Sequence, residues 1–348
     1  MAPRSLLIDG LKVVASQLIV LHHLLLYAPM ANVVGTAWPV AAAFLAGDAR
    51  FVVQIFLVIG GHLAAQGLGR RRDSLPRALL ARYLRLMPML AVALLAVLAA
   101  SALLPAGRWP EWVTPWPTLG NFLAHLLLLQ DVLHIPSLSA GAWYVAIDFQ
   151  LYALLAVGAA ALHRRADRPV WQGPLPWAVA AATLASLLWI NRDATLDAWA
   201  PYFFGAYGLG VLAAWAGRSR ALAGLFGTVC ALQLASGWLD ARPRVLLAAL
   251  TALALALLAS RGRARGRLAR LLARWSDASY GVFLIHYAVI VATTALWLRL
   301  GPGGSAAAWA TLGACWMASL VIGAALQRYV GGPLSRLPQG ALRRLSEG

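Results

Sequence analysis

Ten residues separate Lys12 from His23 in the stretch DGLKVVASQLIVLHHLLLY, which runs from Asp9 to Tyr27. On a helix those eleven steps bring the two side chains within about 20° of each other. Ser16 falls between them and Asp9 lies about 60° away, so an otherwise apolar helix carries one polar stripe. His22 points about 80° off that stripe. The rise from Lys12 to His23 is about 16 Å, which puts a cation and an imidazole at two depths of a common wall. Three more stretches carry similar groups. RYLRLMP sets Arg82 and Arg85 three residues apart on one helix face. AWYVAIDFQLY holds Asp148 with Tyr144 and Tyr152 one turn to either side, and SDASYGVFLIHYAV carries Tyr280 and His286, with Ser279 and Phe283 on the face of His286. An imidazole moves protons near neutral pH, a carboxylate can orient it, and clustered cations bind phosphate.

These groups sit where charge is expensive. The chain has 348 residues, 61% of them hydrophobic and 12% charged, with mean hydropathy +0.72. That composition describes an integral membrane protein, and apolar stretches of spanning length recur from end to end between short Arg, Pro and Gly clusters. No stretch is left over for a sizeable soluble domain, so residues 1–348 are expected to form a single transmembrane domain. The first apolar segment is too long for a signal-peptide core and lacks a small-residue cleavage site. A net charge of +17 does not point to nucleic acid, because the arginines sit in loops between apolar helices. Cys230 and Cys315 lie inside apolar segments, with no metal-ligand spacing.

The expected fold class is all-α: a polytopic bundle of ten spans, Ile8–Tyr27, Phe51–Gln66, Ala78–Leu104, Trp143–Leu162, Pro176–Ile190, Ala200–Ala216, Ala221–Leu239, Val245–Ser260, Ser279–Leu298 and Ala306–Tyr329. With a cytoplasmic N-terminus, 23 of the 29 basic residues fall on the cytoplasmic side. Arg50, Arg108, Arg192, Arg242, Arg244 and Arg299 fall outside, so the positive-inside rule selects this orientation, with both termini cytoplasmic. TLGNFLAHLLLLQDVL is helical but too short to cross and is read as a re-entrant or surface helix. The Trp- and Pro-rich RWPEWVTPWP suits the outer interface.

Each polar site has an ordinary reading. Lys12 can snorkel to headgroups while the histidines cap their helix, Arg-x-x-Arg at an inner helix end can bind lipid phosphate, and a buried His286 can serve a structural hydrogen bond. Intramembrane His, Asp and Arg also mark transporters and flippases, although no inverted repeat or paired broken helices are found.

Taken in order, the motifs resemble those of the acyltransferase-3 family of membrane O-acyltransferases. LIDGLKVVASQLIVLHH is similar to the family's opening helix, with its basic residue, ten positions and histidine. FVVQIFLVIGGHL, RYLRLMP, AWYVAIDFQLY and SYGVFLIHYAV follow in the family's sequence. Asp148 stands where glutamate is usual, and Gly60-Gly61-His62 replaces the usual Ser-Gly-aromatic. The resemblance implies transfer of an acyl group, most often acetyl, from cytoplasmic acyl-CoA to a hydroxyl of an extracytoplasmic acceptor, most often a saccharide or glycolipid. It implies a multi-pass protein of the bacterial inner membrane that needs no metal. In that reading Lys12, Arg82 and Arg85 bind the CoA phosphates and the arm follows the polar stripe. His23 acts as general base, or takes the acyl group itself, with Asp148 holding its tautomer. Tyr280, His286, Tyr144 and Ser16 shape or support the path.

Overall fold

A computed structural model describes residues 5–68, 74–115, 117–162, 169–259, 266–301 and 303–335. The cytoplasmic assignments made for Arg4, Arg70 to Arg72, Arg164 to Arg168, Arg261 to Arg265 and the arginines beyond Ser335 fall outside those residues. The described residues are helical, with no strand among them. Ten longer helices carry the architecture: α1 Leu6–Tyr27, α2 Val53–Leu68, α3 Leu75–Ser101, α4 Ala142–Leu162, α5 Leu175–Leu188, α6 Ala200–Trp215, α7 Arg220–Leu239, α8 Pro243–Leu258, α9 Arg267–Leu300 and α10 Ser305–Leu326. Their ends follow local chemistry. Proline stands in the first turn of α3, α5, α6 and α8, where its missing N–H costs nothing. The Ser219 hydroxyl accepts from the Leu222 N–H and caps α7, and Gly301 closes α9 at φ 55°, a conformation that suits a residue without Cβ.

Among the described residues, seven helical segments are long and apolar enough to cross a membrane: Leu6–Tyr27, Ala49–Leu68, Leu75–Ser101, Ala142–Leu162, Arg220–Leu239, Arg267–Leu300 and Ser305–Gly331. The remaining three expected spans form shorter helices of 14 to 16 residues. At 1.5 Å per residue they reach about 21–24 Å, less than the roughly 30 Å hydrocarbon core. α6 is apolar all round because neighbouring helices surround it: α2, α4, α5 and α8 pack against it and most of its residues are buried.

α9 differs most from its expected span of Ser279–Leu298. It starts twelve residues earlier, at Arg267, and its 34 residues extend about 51 Å, roughly 20 Å more than a hydrocarbon core requires. RLARLLARWSDA continues the helix because Leu, Ala and Arg favour helix in water as well as in lipid. α9 packs on α1, α3 and α10 and so forms the spine of the bundle. Two short helices, Asn32–Ala37 and Pro39–Gly47, fill the connection from α1 to α2, and TLGNFLAHLLLLQDVL yields only the eight-residue helix Leu119–Leu126.

Among the described residues, α2 and α6 come close enough for backbone contact, as do α9 and α10. A Cβ on Gly61 of α2 would fall on the Tyr207 carbonyl oxygen of α6, and one on Gly210 of α6 on the Val58 carbonyl. Small residues that let helices meet in this way drive packing in lipid, where apolar side chains gain little from leaving the bilayer. Gly281 of α9 and Gly323 of α10 do the same, each against the other helix's backbone.

Candidate active site

His23 lies near the C-terminal end of α1, 7% exposed, and His286 is fully buried in the middle of α9. Their rings stack at an interplanar angle of 5°, and His23 Nδ1 stands 2.7 Å from His286 Nε2. The protons follow from the next partner along. His286 Nδ1 is 3.3 Å from the Val282 carbonyl, which can only accept, so that nitrogen carries the hydrogen. His286 Nε2 is then the acceptor and His23 Nδ1 the donor. In this neutral pair the lone pair of His23 falls on Nε2, and α9 has fixed the tautomer.

Asp148, 4% exposed, was expected beside His23; instead it accepts from Arg82 Nη2 at 2.5 Å. The face of α4 that carries Asp148 turns toward α3, whose seventh residue past Leu75 is Arg82, whereas α9 is the helix packed on α1. Arg82 also lies over the Tyr152 ring, 5.2 Å from its centroid. Arg82 is therefore held by a carboxylate and an aromatic ring, with its side chain 21% exposed. Arg85, one turn along α3, is exposed and Lys12 on α1 is half-buried. The structure thus separates two arginines that the Arg-x-x-Arg spacing treats alike.

Between the two centres lies an aromatic sleeve. Tyr144 packs edge-on to Phe56 and Phe283, at 6.1 and 5.3 Å between centroids, and Phe283 adjoins His286 at 6.1 Å. Tyr280 donates to the Leu86 carbonyl at 3.3 Å and ties α9 to α3. The Ser16 hydroxyl returns its hydrogen to the Val13 carbonyl at 2.8 Å, a bond within its own helix. On the far side of His23, Tyr27 stacks on the imidazole at 5.5 Å and meets Trp112 at 5.0 Å and Tyr287 at 5.5 Å. The Tyr287 hydroxyl donates to the Trp112 carbonyl at 2.7 Å and so holds the Trp-rich connection against the histidine chamber.

The adjacent histidines have different partners. His22 Nδ1 donates to the Leu45 carbonyl at 2.7 Å and pins the helix Pro39–Gly47 to α1. Sequence reasoning passed over Tyr27, Trp112, Tyr207 and Tyr287. Tyr287 was open to discovery as the neighbour of His286, and Trp112 as an aromatic in a loop whose prolines limit the backbone. Tyr207 carries no such signal, since it lies inside a uniformly apolar stretch. Among the described residues no group of His, Cys, Asp or Glu is arranged to hold a metal ion, and Cys230 and Cys315 are buried free thiols.

No curated protein and no solved structure matches the chain. The acyltransferase-3 family model, described as an acyltransferase domain, does match, over residues 6–326, from the first turn of α1 to the end of α10. That span takes in the histidine pair, the Arg82–Asp148 pair and the helices that carry them, and the chain therefore belongs to the acyltransferase-3 family of membrane acyltransferases.

Proposed function

We propose that the protein transfers a short acyl group, acetyl first among candidates, from cytoplasmic acyl-CoA to a hydroxyl of an extracytoplasmic saccharide or glycolipid, in a bacterial inner membrane. The observation that carries this reading is the His23 Nδ1 to His286 Nε2 hydrogen bond, which leaves the His23 Nε2 lone pair available to a reacting hydroxyl. Nε2 takes the hydroxyl proton as the oxygen attacks the thioester carbonyl. The tetrahedral intermediate then collapses, the carbon–sulfur bond breaks, and the imidazolium returns its proton to the departing thiolate. His286 accepts the Nδ1 hydrogen throughout, which orients the ring and disperses its charge; a carboxylate does the same work in hydrolase triads.

Exposed Arg85 and half-buried Lys12 are the cations that meet the CoA phosphates, and the sleeve of Phe56, Tyr144 and Phe283 surrounds the apolar part of the path. The test uses protein in lipid nanodiscs, with acetyl-CoA binding followed by calorimetry and thiol release followed by a chromogenic disulfide. Lys12→Ala and Arg85→Ala are expected to weaken binding. His23→Ala is expected to bind acetyl-CoA and release no thiol. Failure of the wild type to bind acetyl-CoA, succinyl-CoA or other short acyl-CoAs would overturn the donor assignment.

A further inference from the structure

The Arg82–Asp148 pair contains more hydrogen-bonding capacity than it uses. Asp148 Oδ2 takes the Arg82 Nη2 hydrogen, but Arg82 Nε, two bonds from that nitrogen, is buried without a partner. The Tyr207 hydroxyl is also buried without a partner, on a residue with no exposed surface. Native proteins seldom leave such donors unpaired, and each one asks for a ligand or a reason. Gly60 supplies the space. A Cβ there would lie 3.4 Å from Asp148 Oδ1 and 3.5 Å from Tyr207 Cε2, so carboxylate and ring edge both border the notch that the missing side chain leaves.

The chemistry around this notch selects its occupant. A phosphate or carboxylate fits poorly, because the Arg82 charge is already met by Asp148 and the remaining carboxylate oxygen repels a second anion. An apolar chain would leave both donors unsatisfied. A neutral group presenting one carbonyl and one N–H would satisfy Arg82 Nε–H or Tyr207 O–H with the first and Asp148 Oδ1 with the second. A secondary amide presents both.

Position agrees. Gly60 lies one turn of α2 from Phe56, Asp148 one turn of α4 from Tyr144, and Phe283 less than one turn of α9 from His286. The aromatic sleeve of Phe56, Tyr144 and Phe283 thus runs between the notch and the histidine pair. Resting on the acyl-CoA reading above, we propose that the Gly60 notch, with Arg82, Asp148 and Tyr207, holds a secondary amide of the donor's pantetheine arm. Tyr207 and Gly60 become donor-positioning residues that act on the arm and not on its phosphates.

Three thioesters separate this from other roles: acetyl-CoA, S-acetylpantetheine, which keeps both amides and lacks the nucleotide phosphates, and an S-acetyl alkylthiol, which has neither. Tyr207→Phe and Gly60→Ala in nanodiscs are expected to raise KM about tenfold for the first two and to leave thiol release from the third unchanged, with kcat retained. An equal loss on all three thioesters, a loss confined to acetyl-CoA, or no change in either variant overturns the assignment. If wild-type protein uses acetyl-CoA and the variants match it, this inference fails alone. If the wild type neither binds nor uses acetyl-CoA, the donor reading fails and takes the inference with it.

Discussion

Two buried polar centres lie a short distance apart in one helical bundle, and they solve the same problem differently. The His23–His286 centre contains no formal charge: two neutral imidazoles and one carbonyl form a chain in which each donor has an acceptor, and one lone pair is left at the end. The Arg82–Asp148 centre contains two opposite charges that cancel, surrounded by Tyr144, Tyr152, Tyr207 and Tyr280. The first arrangement has a spare acceptor, which is what a proton-abstracting group needs. The second has spare donors, which is what a group that grips a carbonyl needs. A low-dielectric interior therefore hosts both, provided that net charge is avoided or paired.

Substitutions can break this division. The largest effect is expected from His23→Ala, which removes the lone pair: turnover should fall by ~10²- to 10⁴-fold in protein that still elutes as a monodisperse helical species. Retained turnover would place the base elsewhere. Next, Arg82→Ala strands a buried carboxylate and should lower thermal stability in detergent, by about 3–5 kcal/mol, while the charge-removing double variant Arg82→Met/Asp148→Leu recovers part of it. A double variant no more stable than Arg82→Ala would show that the pair does not act as a unit.

His286→Ala should lower kcat about tenfold with little change in KM, and His286→Gln, whose side-chain oxygen can still accept from His23, should recover part of the loss. Equal losses in both would argue for a direct chemical role. The smallest effect belongs to His22→Ala, which removes one bond to the Leu45 carbonyl. Stability should drop by about 1 kcal/mol and turnover should stay within about twofold, sharpening the contrast between adjacent histidines.

Much of the bundle could be read before any coordinates. Lengths of apolar sequence and the placement of proline located the starts of α3, α5, α6 and α8 to within a few residues, and the 100° step put Lys12, Ser16 and His23 on one wall. The extension of α9 was hidden because its first twelve residues include three arginines and so fail any apolar window, although every one of them tolerates helix. The two short helices after Tyr27 were hidden for the opposite reason, being apolar but too brief to carry a periodic signal.

Composition and spacing alone determined that the chain is a helical membrane protein and that its polar residues fall on a few helix faces, because a bilayer leaves few ways to satisfy backbone groups and charges. Which polar residue meets which was decided only by the packing. His23 and His286 are 263 positions apart and Arg82 and Asp148 are 66 apart. No periodicity within one helix can encode such a pairing. It depends on how closely and at what rotation two helices approach, and that is set by contacts such as Gly61 against Tyr207 and Gly281 against Gly323.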